Sequence, residues 1–173
     1  LITYFMQRGH FSPKIINNDL SEDLHATFLE LLDGQKRYFL KKDIIQFERY
    51  KYALDDEFRS LNTDFFDLAY ARYLQRRGEA KLFYAELLEK PFDYAKKEEI
   101  NLDYEEQDYP LTVRQRTEKW RKQLKFSTLN IVQGKLEEEQ KTAEKDESYF
   151  PKSFDELEAE AREITRENFE NYF

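Results

Sequence analysis

The sequence predicts an all-α fold, an irregular array of about six to seven helices joined by ordered, aromatic-rich loops. Three observations carry that prediction. Glycine and proline are scarce, four of each in 173 residues, whereas sandwiches and barrels need many tight turns built from those residues. Charged residues make up 37% of the chain, which suits long solvated helical faces. Apolar residues recur three and four apart, as on one face of a helix. Aromatic residues supply the core: 15 Phe and 12 Tyr stand against one Trp and one Met. Each buried ring removes roughly 150–250 Å² from water, so a few rings stabilise a thin helical domain despite a mean hydropathy of -0.91.

Leu1 to Gln7 reads as the end of a helix closed near Gly9, and Ser12-Pro13 forces an extended stretch. Asp19 or Ser21 is the expected cap of a second helix carrying Leu24, Phe28 and Leu31 and ending at Asp33-Gly34. Arg37 to Leu40 is short, aromatic and extended. A third helix begins near Asp43, with Ile44, Phe47 and Tyr50 on one side, and a brief fourth covers Asp55 to Leu61. Asn62 or Thr63 caps the longest element, which runs to about Glu89 through Phe66, Tyr70, Tyr73, Ala80, Phe83 and Leu87. Lys90-Pro91 marks its exit, and Phe92 to Pro110 is an ordered loop. Thr112 and Gln115 form a capping box for a helix with Val113, Trp120, Leu124 and Ile131, ending near Gly134. Ser153 and Glu156 form another, opening a helix in which Phe154, Leu157, Ala161 and Ile164 step three, four, three. Residues 1–173 read as one domain, with 133–153 a polar, flexible connection or an exposed helix.

Several functions are excluded or disfavoured. The net charge is -8, and DNA binding draws on phosphate neutralisation by a basic face, so nucleic acid is not an expected partner. No cysteine is present, which removes disulfides and thiolate metal sites. The two His, at 10 and 25, do not form a zinc motif, so no metal and no cofactor is expected. No apolar run approaches the length of a membrane span. The chain opens on Leu1 rather than Met, which leads us to expect further sequence upstream. Acid runs such as Asp55-Asp56-Glu57 and Glu137-Glu138-Glu139 read as solvated helix faces. The basic stretch Arg114, Arg116, Lys119, Arg121, Lys122 and Lys125, and the pair Arg76-Arg77, read as exposed charges balanced by neighbours. Trp120 reads as a core residue, and Tyr38, Phe39 and Leu40 as anchors between two helices.

Four segments in order carry a resemblance. Leu32-Asp33 with Lys36-Arg37-Tyr38-Phe39-Leu40 and Asp43-Ile44 resembles a signature of the form LDPxRxYFLxxDI, and Phe47 with Leu54-Asp55-Asp56 continues it. Leu87-Leu88-Glu89-Lys90-Pro91-Phe92-Asp93-Tyr94 is similar to a helix exit LLxKPFDF. Tyr109-Pro110-Leu111-Thr112, then Glu118 to Lys125, resembles a WPxT…LWRKRLK segment. Together they resemble the N-terminal helical domain of tail-specific proteases, or C-terminal processing peptidases. Tyr109 stands where that family often has Trp, and 133–153 is longer and more acidic than usual.

The resemblance implies a non-catalytic scaffold or substrate-access domain of a periplasmic serine endopeptidase that degrades or trims envelope proteins from their C-termini. The PDZ module and the Ser-Lys dyad of such enzymes lie downstream of this segment. None of the six Ser here, at 12, 21, 60, 127, 148 and 153, sits in a catalytic motif, so no catalytic residue is assigned and no peptidase activity is expected of the segment alone. The implied partners are the PDZ and protease modules of its own full-length chain, periplasmic protein substrates and an envelope adaptor protein. Phe169, Tyr172 and Phe173 are assigned to contact with the next module. The alternatives are a stand-alone helical adaptor and, less favoured, a small helical enzyme.

Overall fold

The computed structural model describes residues 15–173. The expected helix at Leu1 to Gln7, the Ser12-Pro13 stretch and His10 lie outside the described residues. Among the described residues there are six α-helices and no strand: α1 (Asn18–Asp33), α2 (Lys41–Phe47), α3 (Leu54–Ser60), α4 (Asp64–Leu87), α5 (Val113–Lys145) and α6 (Phe154–Glu170). A 3-10 turn, Glu48–Tyr50, follows α2. The fold is all-α.

The chain divides into two compact units. The first comprises residues up to Arg76 together with Asp103–Val113; the second comprises Arg77–Leu102 and Arg114–Phe173.

In the first unit α1 is capped by Asn17, whose side chain accepts the Leu20 N–H, and not by Asp19 or Ser21. Ser21 is fully buried instead. Its Oγ donates to the Lys51 carbonyl and accepts the Leu54 N–H, both at 2.8 Å, so it ties α1 to the start of α3. The buried stripe of α1 is Ser21, His25, Leu29 and Asp33. Leu31, expected inside, is exposed, because four-residue steps from polar Ser21 and His25 set the face. The core is Leu29, Phe39, Ile44, Phe47, Leu54, Phe65 and Ala69. Its rings meet edge to face, Phe39 on Phe47 at 5.3 Å and Tyr38 on Tyr73 at 5.3 Å, the arrangement the ring quadrupole favours.

In the second unit α5 and the C-terminal part of α4 bury Ala80, Tyr84, Leu88, Trp120, Leu124 and Val132, and α6 adds Leu157 and Ala161. Helix α5 does not end near Gly134. It continues to Lys145, since a lone helical Gly costs only ~1 kcal/mol relative to Ala and polar pairs line the extension. Gln133 reaches Glu137, and Gln140 reaches Glu144. Residues 133–145 are thus helical and 146–153 form the short connection. Ser153 and Glu156 make the reciprocal capping box that opens α6.

Candidate functional site

Tyr38, Phe39 and Leu40 lie outside any helix or strand, so their N–H groups have no partner in regular structure, yet they are 4%, 0% and 2% exposed. Buried N–H groups need acceptors, and two carboxylates supply them. Asp33 Oδ1 accepts the Arg37 N–H at 2.8 Å. Its Oδ2 accepts those of Tyr38 at 2.9 Å and Phe39 at 2.8 Å. Asp43 Oδ2 accepts the Leu40 N–H at 2.9 Å. The Lys41 N–H goes to the Pro110 carbonyl at 2.8 Å. The extended run is therefore written into two flanking aspartates.

Asp43 carries more. Its side chain is fully buried; Arg76 grips both oxygens at 2.8 and 2.9 Å, and Arg72 bonds Oδ1. Burial opposes ionisation, but Arg76, the Leu40 N–H and Arg72 outweigh it and hold the carboxyl below its usual range. At Asp33 burial prevails over the three N–H donors and pushes the carboxyl up to about 6. Lys36, at φ 50, is one of two non-glycine residues with a left-handed backbone among the described residues. From there its Nζ reaches the Glu105 and Gln107 carbonyls at 2.8 and 2.5 Å and lies over the Tyr109 ring. A cleft of about 450 Å³ lies in this unit, with His25, Leu29, Asp33, Ile44, Tyr104 and Tyr109 among its lining.

The second unit repeats the device. Glu158 is 2% exposed and pairs with Arg162 at 3.0 Å. It also accepts the Phe92 N–H and the Tyr94 hydroxyl. Arg162 and Arg166 donate to the Leu88 carbonyl at 2.9 and 3.2 Å. The Leu88 to Tyr94 exit from α4 is thus held from α6. Glu98 is gripped by Arg121, Lys125 and Lys96, which hold its carboxyl far below the usual range. A smaller cavity of about 240 Å³ is lined by Tyr94, Ile100, Phe126 and Leu129 with Lys97 and Lys122.

The expectation of exposed, balanced charge is corrected at several positions. Arg76, Arg116 and Lys125 are buried, at 5%, 1% and 9% exposed. Arg116 pairs with Glu79 at 2.6 Å and lies over the Phe83 ring. Asp55 and Glu57 are buried too, Asp55 paired with Arg59 and Glu57 accepting the Phe65 N–H. Trp120, at 0% exposed, packs edge to face on Phe83 and stacks on Phe173.

The C-terminal aromatics are placed differently from one another. Phe169 and Phe173 lie against Trp120 at 6.0 and 5.8 Å, inside their own unit. Tyr172 is 49% exposed. The four-residue stripe Leu157, Ala161, Thr165, Phe169, Phe173 explains this. Thr165 is fully buried, its hydroxyl bonded to Thr128 at 3.0 Å and to the Ala161 carbonyl. A polar residue at that position hides the stripe's continuation in the sequence.

No group of three or more His, Asp or Glu able to hold a metal ion occurs among the described residues. No described helix is long and apolar enough to cross a membrane. In each unit the site is thus a set of buried carboxylates fixing irregular backbone between helices, which defines a helical module in the sense of packing only. The family model described as the tail specific protease N-terminal domain matches residues 2–172. The chain belongs to that family.

Proposed function

We propose that this chain is the non-catalytic scaffold and substrate-access domain of a periplasmic tail-specific serine endopeptidase acting on envelope proteins. The observation that carries this reading is where the family-like segments spend their polar groups. Asp33, Asp43 and Glu158 are buried and bonded to backbone N–H groups or to Arg. Groups engaged in this way supply rigidity, and rigidity is what holding a separate catalytic centre and its entrance in place requires. The PDZ and Ser-Lys modules belong to the rest of the enzyme, and Tyr172 offers its half-exposed ring to the neighbouring module.

The test compares the full-length enzyme with a version lacking this domain. Hydrolysis of a short peptide should persist while degradation of a protein substrate with an apolar tail collapses or loses selectivity. Unchanged protein degradation would overturn the reading. So would cleavage of denatured protein by the isolated chain that scales with its concentration and survives repurification.

A further inference from the structure

We infer that the cleft of the first unit receives a lysine or arginine side chain of a polypeptide. Among the described residues the cleft is weighted toward acids, with Glu22, Glu30, Asp33, Glu48 and Glu105 against Lys36 and Lys51. His25 is 4% exposed; its Nε2 lies 3.1 Å from the Phe47 carbonyl, an acceptor, so Nε2 must carry the proton. Burial lowers the pKa of the imidazole and keeps it neutral. Its Nδ1 is then a bare lone pair on a buried ring that lines the cleft and has no hydrogen bond. The lone pair is not among the buried atoms left without a partner, so solvent reaches it and a donating ligand can take the place of water there.

The rim adds acceptors. Glu30, Glu48 and Glu105 line the same cleft, and among the described residues none of their carboxylates forms a salt bridge. The two lysines at the rim are already engaged, Lys51 with Glu22 at 2.7 Å and Lys36 with the Glu105 and Gln107 carbonyls. The floor is apolar, formed by Ala26, Leu29 and Ile44. An apolar floor beneath a rim of carboxylates matches a side chain with a methylene stem and a donor-rich cationic head. A metal ion does not match, because the acidic groups are nowhere gathered closely enough to coordinate one among the described residues. That the side chain comes from a polypeptide rests on the reading of the chain as a protease's substrate-access domain.

The experiment titrates this 173-residue chain with capped pentapeptides while its amide NMR signals are followed. The peptides are identical except for a central lysine, arginine or norleucine, the last keeping the stem without the charge. Saturable shifts should appear within 22–36, 44–51 and 104–109 for lysine and arginine, with norleucine about tenfold weaker or more. The double variant Glu30→Gln, Glu48→Gln changes two exposed side chains. It should keep its unfolding midpoint and bind the lysine peptide about tenfold more weakly. Equal binding of norleucine, shifts confined to other residues, unaltered binding by the double variant, or no saturable shift at millimolar peptide would each overturn the proposal. Calcium chloride producing the same shifts and competing with lysine would overturn it in favour of a divalent-ion site. No proteolysis is read, so these failures leave the scaffold reading standing. Failure of the domain-deletion test leaves the peptide titration interpretable.

Discussion

Asp33 accepts the backbone N–H of Phe39 at 2.8 Å, six residues along the chain, and in doing so fixes where the extended aromatic run leaves α1. The same carboxylate also holds Arg37 and Tyr38. Asp33→Asn leaves one oxygen for three donors and turns an NH₂ group toward a backbone N–H. The expected cost is about 1–3 kcal/mol, the penalty for unsatisfied buried polar groups, read as a lower denaturant midpoint with unchanged slope. A midpoint equal to the parent's would mean that the aspartate's hydrogen bonds do not hold this run.

Phe39 is fully buried and meets Phe47, Tyr73 and Tyr109. Phe39→Ala should cost about 3–5 kcal/mol, transfer and cavity terms together. Phe39→Leu, which keeps much of the volume, should cost clearly less. Equal losses in the two variants, in urea unfolding followed by circular dichroism, would contradict a packing role for the ring.

Asp43 and Arg76 form a buried pair whose members should be far more costly to remove singly than together. Arg76→Met leaves Asp43 buried with Arg72 as its remaining cation and should cost about 3 kcal/mol. Adding Asp43→Leu should recover part of that loss, but not all, because the Leu40 N–H then lacks its acceptor. Strict additivity in the double-mutant cycle would argue against direct coupling.

The helical class was legible because scarcity of Gly and Pro and the three-and-four spacing speak to local structure. Tyr38 to Leu40 as a buried run was legible from its aromatic content. What sequence reasoning missed is charge that turns inward. Asp33, Asp43, Arg76 and Glu158 have the same composition as surface residues, and only tertiary pairing separates them. A partial signal existed: Asp43 stands three residues after Leu40, where a helix-opening acid reaches back, and Arg72 and Arg76 lie four apart on one face. Gly134 misled for the opposite reason, since an exposed helix tolerates an isolated glycine with no neighbour requiring it; a Cβ added there would meet nothing within 4 Å.

Acid should weaken the second unit through Glu98. Its folded carboxyl is held well below the unfolded value of 4.5 by Arg121, Lys125 and Lys96. The ionised form is therefore favoured by folding. Its contribution is fully present above about 4.5 and is lost as pH falls through the much lower folded value. Glu98→Gln should be less stable at neutral pH and show a shallower loss between neutral pH and pH 3 or so. Parallel curves for parent and variant would place the acid sensitivity elsewhere.

Trp120 is the single tryptophan of the chain and is fully buried in the second unit, so its emission reports on that unit alone. Phe173 stacks on it with ring planes 24° apart, and Phe169 meets it edge to face. The Phe173 carbonyl also accepts from Arg77 at 2.6 Å, which holds this residue against the indole. Removing either Phe ring should admit water to the indole, shift its emission to the red and cost about 2 kcal/mol, below the range for a fully buried Phe because both rings are only partly covered. Tyr172 points half its surface to solvent and packs on the Phe169 ring. Tyr172→Ala should leave the emission maximum unchanged and lower stability by less than about 0.5 kcal/mol. The same substitution in the full-length enzyme should weaken protein degradation if Tyr172 seats against the neighbouring module. The pairing of measurements separates the roles: a red shift and a large stability loss with Tyr172→Ala in this chain would assign that ring to the unit's own core, whereas normal degradation by the full-length Tyr172→Ala enzyme would remove it from the seat.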